Sequence, residues 1–349
     1  MTGRAHSIPL IHISDLYHPP QDPDDHVDLA TVFALEEYDI RAIILDASSK
    51  FLEPAPSGFD IARDPGSVPV RQMMHLTGRS APVATGPLER LGSPDDALRD
   101  VPPSQRRGVE LVLDVLNDSH QPVTISIVGS ARALAVAYNT DGQLVKRRTK
   151  RVLLNAGSSG GSHIEWNVGL DPSAYTCLWH SGLSIDWFPC TTENSPFDPH
   201  HKHSAYFSVE HRNLFEGLSS QVLAWFCYGF SASSAEDPID VLDRHPSGQS
   251  WEDILNDKRS MWATASLIVG AGRHLSRIND DWRFVRKEKR EDDHCWPMSL
   301  EGITASISDG LHVSWTHTGD TASRIFTRQE GDEFGKAMGA ALNSLLRTL

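Results

Sequence analysis

The sequence predicts an α/β protein: a mostly parallel β-sheet flanked by helices, with a Rossmann-like core. Two patterns point to it. Short apolar runs bounded by turn residues alternate with longer helical patterns through the first half, as in βαβ units. In addition, one run ends in the flexible stretch 155–162 (NAGSSGGS), and the carboxyl ends of strands are where open α/β sheets bind ligands.

The elements follow in order. Residues 8–13 (IPLIHI) read as a buried strand and 26–38 (HVDLATVFALEEY) as a buried helix. Asp24 and Asp25 suit that helix's N-cap and first turn, because carboxylates accept its orphan N–H groups and match the positive end of its dipole. Residues 40–45 form a second strand, and 46–71, rich in Pro, Gly, Ser and Asp, a long loop. Next come a short strand at 81–84, a helix at 104–117, a strand at 123–128, a helix at 130–138 entered through Gly129, and a strand at 151–154. Asp171-Pro172 starts a further helix, with Asp as cap and Pro at the first position. Residues 191–203 read as a polar loop, 219–230 and 258–274 as helices, and 283–293 (RFVRKEKREDD) as a solvated linker or surface element. An edge strand at 312–315 and a closing helix at 333–346 complete the chain. The expected organisation is one α/β domain over 1–280, with 281–349 a C-terminal elaboration packed on it.

Composition narrows the function. The 349 residues carry 32 Lys and Arg against 46 Asp and Glu, a formal charge of −14, which argues against nucleic acid or anionic membranes as partners. The four cysteines (Cys177, Cys190, Cys227, Cys295) are far apart and suggest neither a disulfide scaffold nor a zinc knuckle. The first apolar run is too short for a secretory signal or a membrane span, so the expectation is a soluble, cytoplasmic protein.

Five aspartates, Asp15, Asp22, Asp24, Asp25 and Asp28, fall within fourteen residues between the first strand and first helix. Crowded carboxylates repel unless a hard cation or shared protons offset them. Two readings stand: a Ca²⁺ or Mg²⁺ site, or an acidic helix cap with Asp22 and Asp28 facing water. His12 and His26 flank the loop as proton donors or as core histidines. The run His200-His201-Lys202-His203 reads as a solvated loop, since no second ligand cluster accompanies it. Gly157-Ser158-Ser159-Gly160-Gly161 formally matches a nucleophile elbow but lacks the helix that should follow.

The order of segments resembles the nucleoside hydrolase (inosine–uridine preferring N-ribohydrolase) family, which implies a nucleoside-hydrolase-like core. Asp22-Pro23-Asp24-Asp25 resembles a variant of its D-x-D-P-G-x-D-D motif. Residues 81–87 (APVATGP), 123–135 (VTISIVGSARALA) and 151–157 (RVLLNAG) resemble its next three strand motifs, and 165–174 (EWNVGLDPSA) resembles E-F-N-x-x-x-D-P-x-A. Residues 230–349 match poorly.

The resemblance implies a hydrolase that cleaves the N-glycosidic bond of a ribonucleoside with a Ca²⁺-activated water. Asp15 would be a metal ligand and general base, with Asp22 its rival as ligand. Asp25 and the Val128 backbone carbonyl would be further ligands, and Asp24 would bind a ribose hydroxyl. Glu165 and Asn167 would bind sugar hydroxyls, or else belong to a surface loop anchored by a buried Trp166. Ser159 stands where the family has an Asn, and Trp262-Ala263 where it has His-Asp. Trp262 is then a substrate-binding aromatic, and Ala263 removes one ligand charge and weakens or abolishes calcium binding. The alternative is a non-catalytic, metal-deficient member that binds a sugar or nucleoside. A homodimer or homotetramer is the implied assembly.

Overall fold

The computed structural model describes residues 7–18, 23–46, 66–231, 237–286, 295–319 and 321–349. Asp22, most of the 46–71 loop, and the charge-dense stretch beyond Arg286 lie outside the described residues.

Six parallel strands form the centre: β1 (Ile8–Ser14), β2 (Tyr38–Leu45), β3 (Val83–Thr85), β4 (Val123–Ile127), β5 (Thr149–Asn155) and β6 (Ile185–Phe188). Their spatial order is β6-β5-β4-β1-β2-β3, so the direction of winding reverses at β1. This is the doubly wound arrangement, in which a crevice opens beyond the carboxyl ends of the strands at the reversal. Ile13 of β1 pairs with Ile44 of β2 on one side and Ile127 of β4 on the other. Two apolar layers cover the sheet. One packs helices Asp24–Ala34, Ser220–Phe230 and Phe334–Leu346 around Trp225 and Phe207. The other packs helices Pro103–Asp118, Arg132–Thr140 and Pro172–His180 around Trp187 and Tyr175.

Two short strands, β7 (Phe207–Glu210) and β8 (Lys258–Met261), pair with each other, as do β9 (Arg273–Ile278) and β10 (Asp281–Arg286). Strands β11 (Met298–Ile307), β12 (Val313–His317) and β13 (Ser323–Arg328) extend the main sheet to nine. β13 lies parallel to β6, while β11 is antiparallel to both β13 and β12, leaving β12 at the edge as expected.

Several expectations change. The first helix ends at Ala34, not at residue 38, because Tyr38 opens β2 and is held in the core by its hydroxyl, which donates to the Leu267 carbonyl at 2.6 Å. Its N-cap is Pro23, and Asp24 and Asp25 are the acidic residues of its first turn. Residues 258–274 are not one helix. They form β8, helix Thr264–Gly270 and the start of β9, with Trp262 and Ala263 at the break, because β7 and β10 offer pairing partners. Residues 283–286 are part of β10 rather than a solvated linker, with Phe284 buried and Arg286 bonded to Glu37 at 2.6 Å. The helix after Asp171 forms as expected: the Asp171 carboxylate accepts from the Ala174 N–H, and Pro172 opens the first turn. Among the described residues no helix is long and apolar enough to cross a membrane.

Candidate functional site

At the reversal of winding, the chain leaves β1 and β4 into a cavity of about 460 Å³. Asp15 follows β1 and Val128 follows β4, so the strand ends bring together two residues more than a hundred positions apart. The first helix contributes Asp24, Asp25 and Asp28. These share one face because three- and four-residue spacings return to the same side of a helix. Glu165 enters from the end of the loop after β5, Asn167 from the short helix that Glu165 caps (Trp166–Leu170), and Trp262 and Ala263 from the break after β8.

Not every expected residue is there. Ser159 does not line the cavity; it is buried behind it, with its carbonyl accepting from the Trp315 indole N–H at 2.9 Å. Asp22 lies outside the described residues. The structure adds Tyr17, Asn155, His163, Cys190 and Phe197 to the walls. The Asp28 signal was present in the sequence as the fourth residue after Asp24, but Asp28 does not face water: it is 1 % exposed and accepts from Thr264 Oγ1 at 3.2 Å. Asn155 left no signal beyond a polar residue ending an apolar run.

The acidic wall is electrostatically loaded. Burial pushes Asp15 up to about 7 and Asp28 to about 7, and holds Asp25 well above the ordinary carboxylate range. Asp15 and Asp25 are hydrogen-bonded to each other, and Ser14 Oγ donates to Asp25 at 3.1 Å. No Lys or Arg lines the cavity among the described residues.

The Glu165 carboxylate accepts from the backbone N–H groups of Gly157 (2.8 Å), Asn167 (2.9 Å) and Val168 (3.3 Å). It thereby ties the loop after β5 to the helix Trp166–Leu170, whose N-cap it is. Burial still holds Glu165 above its ordinary value. Asn167 Nδ2 donates to the Asn155 carbonyl at 3.0 Å.

Aromatic side chains also line the cavity. Trp166, expected to be buried if it anchored a surface loop, is 52 % exposed, and Phe197 is 57 % exposed. Phe197, Tyr206 and Trp262 form a cluster with ring centroids 5.4 to 5.7 Å apart. The Trp262 indole is fixed by donating to the Pro196 carbonyl at 2.8 Å.

Oxygen donors of this kind, uncompensated by any basic side chain, suit a hard cation. Their number falls short: among the described residues no group of three or more His, Cys, Asp or Glu side chains is placed to hold a metal ion, and the remaining expected ligand position is Ala263. The histidines flanking the acidic loop are core residues. Burial lowers His12 to about 4 and His26 to about 3. The 200–203 loop is less solvated than expected, because His203 is buried with Nδ1 2.9 Å from the Phe326 carbonyl.

No family model matches the chain. A pyrimidine-specific ribonucleoside hydrolase RihA from Citrobacter koseri is 26 % identical over 183 residues, 46 % of this chain and 55 % of that protein. The chain thus spans between 28 % and 55 % of the length of the curated relatives it matches. The inosine–uridine preferring nucleoside hydrolase of Bacillus anthracis superposes with a TM-score of 0.55 at 13 % identity, covering 98 % of this chain and 100 % of that one. The type III effector XopQ complexed with adenosine diphosphate ribose superposes with a TM-score of 0.52 at 10 % identity, covering 99 % and 94 %.

Proposed function

We propose that this chain, a divergent relative of the nucleoside hydrolases, hydrolyses the N-glycosidic bond of a ribonucleoside or related N-riboside in this cavity. The observation that carries the reading is the convergence of Asp15, Asp24, Asp25 and Asp28 with Trp262, Phe197 and Trp166 in the lining of one cavity. Carboxylates beneath a sugar stabilise the positive charge that develops at its anomeric carbon, and exposed aromatic faces stack on a heterocyclic base.

Roles follow from position. Asp15 accepts the proton of the attacking water, and Asp24 holds a ribose hydroxyl. Backbone N–H groups of Gly157, Asn167, Val168 and Trp166 hold the Glu165 carboxylate, so it positions the loop, and beside it Asn167 shares with it the role of binding a sugar hydroxyl. With Trp262 and Ala263 unable to protonate the leaving base, His163 is the imidazole on the cavity wall that faces this task. Asp15, Asp25 and the Val128 carbonyl would be the ligands of a Ca²⁺, a set short of the roughly six to eight oxygens that ion takes, so Ca²⁺ would be held weakly here.

The test is a panel of purine and pyrimidine ribonucleosides assayed for base release with and without calcium. Release from at least one supports the proposal, and release from none overturns it. Ala263 favours a second reading, a non-catalytic sugar- or nucleoside-binding protein; stabilisation by ribose without base release from any nucleoside is its signature. The homodimer or homotetramer implied by the resemblance is checked by sedimentation.

A further inference from the structure

Asn155, the last residue of β5, carries an unmet hydrogen-bonding demand on the cavity wall. Its Nδ2 donates to the Ile127 carbonyl of the neighbouring strand at 2.8 Å. A carbonyl only accepts, so this bond fixes the orientation of the amide and turns Oδ1 away from β4. Asn155 is 1 % exposed, and Oδ1 has no hydrogen-bond partner. A buried acceptor left unmatched is destabilising in a protein interior, and native structures keep such groups chiefly where something else comes to satisfy them.

The surroundings specify that partner. The Asp15–Asp25 pair, the Val128 carbonyl and Asn155 Oδ1 make this part of the wall rich in acceptors, with no Lys or Arg among the described lining residues. Such a wall selects a ligand that donates hydrogen bonds and rejects an anion. A polyol fits, since each hydroxyl donates once.

We propose that Asn155 Oδ1 accepts a hydrogen bond from one hydroxyl of the sugar held in the cavity and is a specificity-determining residue of the site. The inference rests on the sugar-binding reading above. It adds a residue that the sequence did not single out, and its amide is set by the sheet itself: β4 holds Nδ2, and Asn167 is tied to the Asn155 backbone. The pocket's selectivity is thus built into the central strands.

The experiment measures binding of D-ribose and its 2-deoxy, 3-deoxy and 5-deoxy analogues to the full chain and to Asn155→Leu, a substitution of similar shape without the acceptor. The expected result is that Asn155→Leu binds ribose about tenfold more weakly. One deoxy sugar should lose about as much against the wild-type chain and then be bound equally by both proteins, which identifies the hydroxyl. Equal ribose affinity in the two proteins overturns the assignment, and so does an equal proportional loss for all four sugars. Should Asn155→Leu fail to fold, Asn155→Ala takes its place with the same criteria. A wild-type chain that binds none of the four sugars overturns the sugar-binding reading itself, and the Asn155 assignment with it.

Discussion

Gly129 lies where the chain turns from β4 toward the next helix, and a Cβ placed there would stand 2.6 Å from the Asp15 carboxyl. Only a residue without a side chain lets that carboxyl reach the cavity. Gly129→Ala is therefore expected to displace Asp15 and to lower base release or ribose binding at least tenfold while the protein remains folded, as circular dichroism would show; an unchanged site would refute the close approach. Arg132 poses the opposite case, a buried cation holding elements together. It donates to Asp171 at 2.9 Å and to the Pro87 carbonyl at 2.9 Å, and lies 3.9 Å from Asp46. Removing one partner of a buried pair leaves the other charge uncompensated, so Arg132→Met should cost roughly 3–5 kcal/mol in urea unfolding. Pairing it with Asp171→Asn should recover part of that loss. At this scale the sequence was informative where a residue's chemistry declares itself: Asp24 and Asp25 beside a helix start, Asp171-Pro172 at another. It was uninformative for Asn155, because nothing local marks an amide whose oxygen lacks a donor.

Elements were legible where their length and periodicity agreed and illegible where tertiary pairing overrode them. The 258–274 run is apolar enough for a helix, yet Lys258–Met261 is drawn into a strand by Phe207–Glu210, a partner about fifty residues earlier that no local pattern announces. The break this produces carries Trp262 and Ala263 into the cavity wall, so the misread element is the one that shapes the site. The β6–β13 seam also depends on a distant pairing. Only Arg324 and Ile325 register there with Asp186 and Trp187, while the buried Asp186 carboxylate takes both Arg324 (2.7 Å, bidentate) and Arg151 (2.9 Å). Asp186→Asn is expected to weaken this seam first: amide exchange in β11–β13 should accelerate by more than that in β1 and β4. A uniform acceleration across the sheet would place the strength of the junction in its apolar packing instead.

For the whole molecule, buried titratable groups set opposing pH dependences. His12, lowered to about 4 by burial, is neutral when folded but protonated when unfolded between about pH 4 and 6.5, so its contribution to stability is lost as pH falls through that window. Asp28, raised to about 7 by burial, keeps its proton when folded but not when unfolded from its ordinary value of 3.8 up to about pH 7, so stability falls as pH rises. The two slopes cancel where they overlap. Asp28→Asn should unmask the His12 slope, making the pH 4–6.5 dependence more positive than wild type by about 1.4 kcal/mol per pH unit, measured by denaturant titration. The variant should also gain relative stability above pH 7; an unaltered pH profile would show that Asp28 ionises normally.

The Trp315 indole, on the outermost strand of the sheet, donates to the carbonyl of Ser159, in the loop that leads to Glu165. A protein engineer trimming the chain at residue 280 would cut before that tryptophan and would also discard β11 and β13. The shortened product would keep every residue of the cavity wall and lose the buttress behind its most glycine-rich segment. For this chain, the practical unit of expression, grafting or redesign runs through the edge strand, and the cavity cannot be transplanted without it.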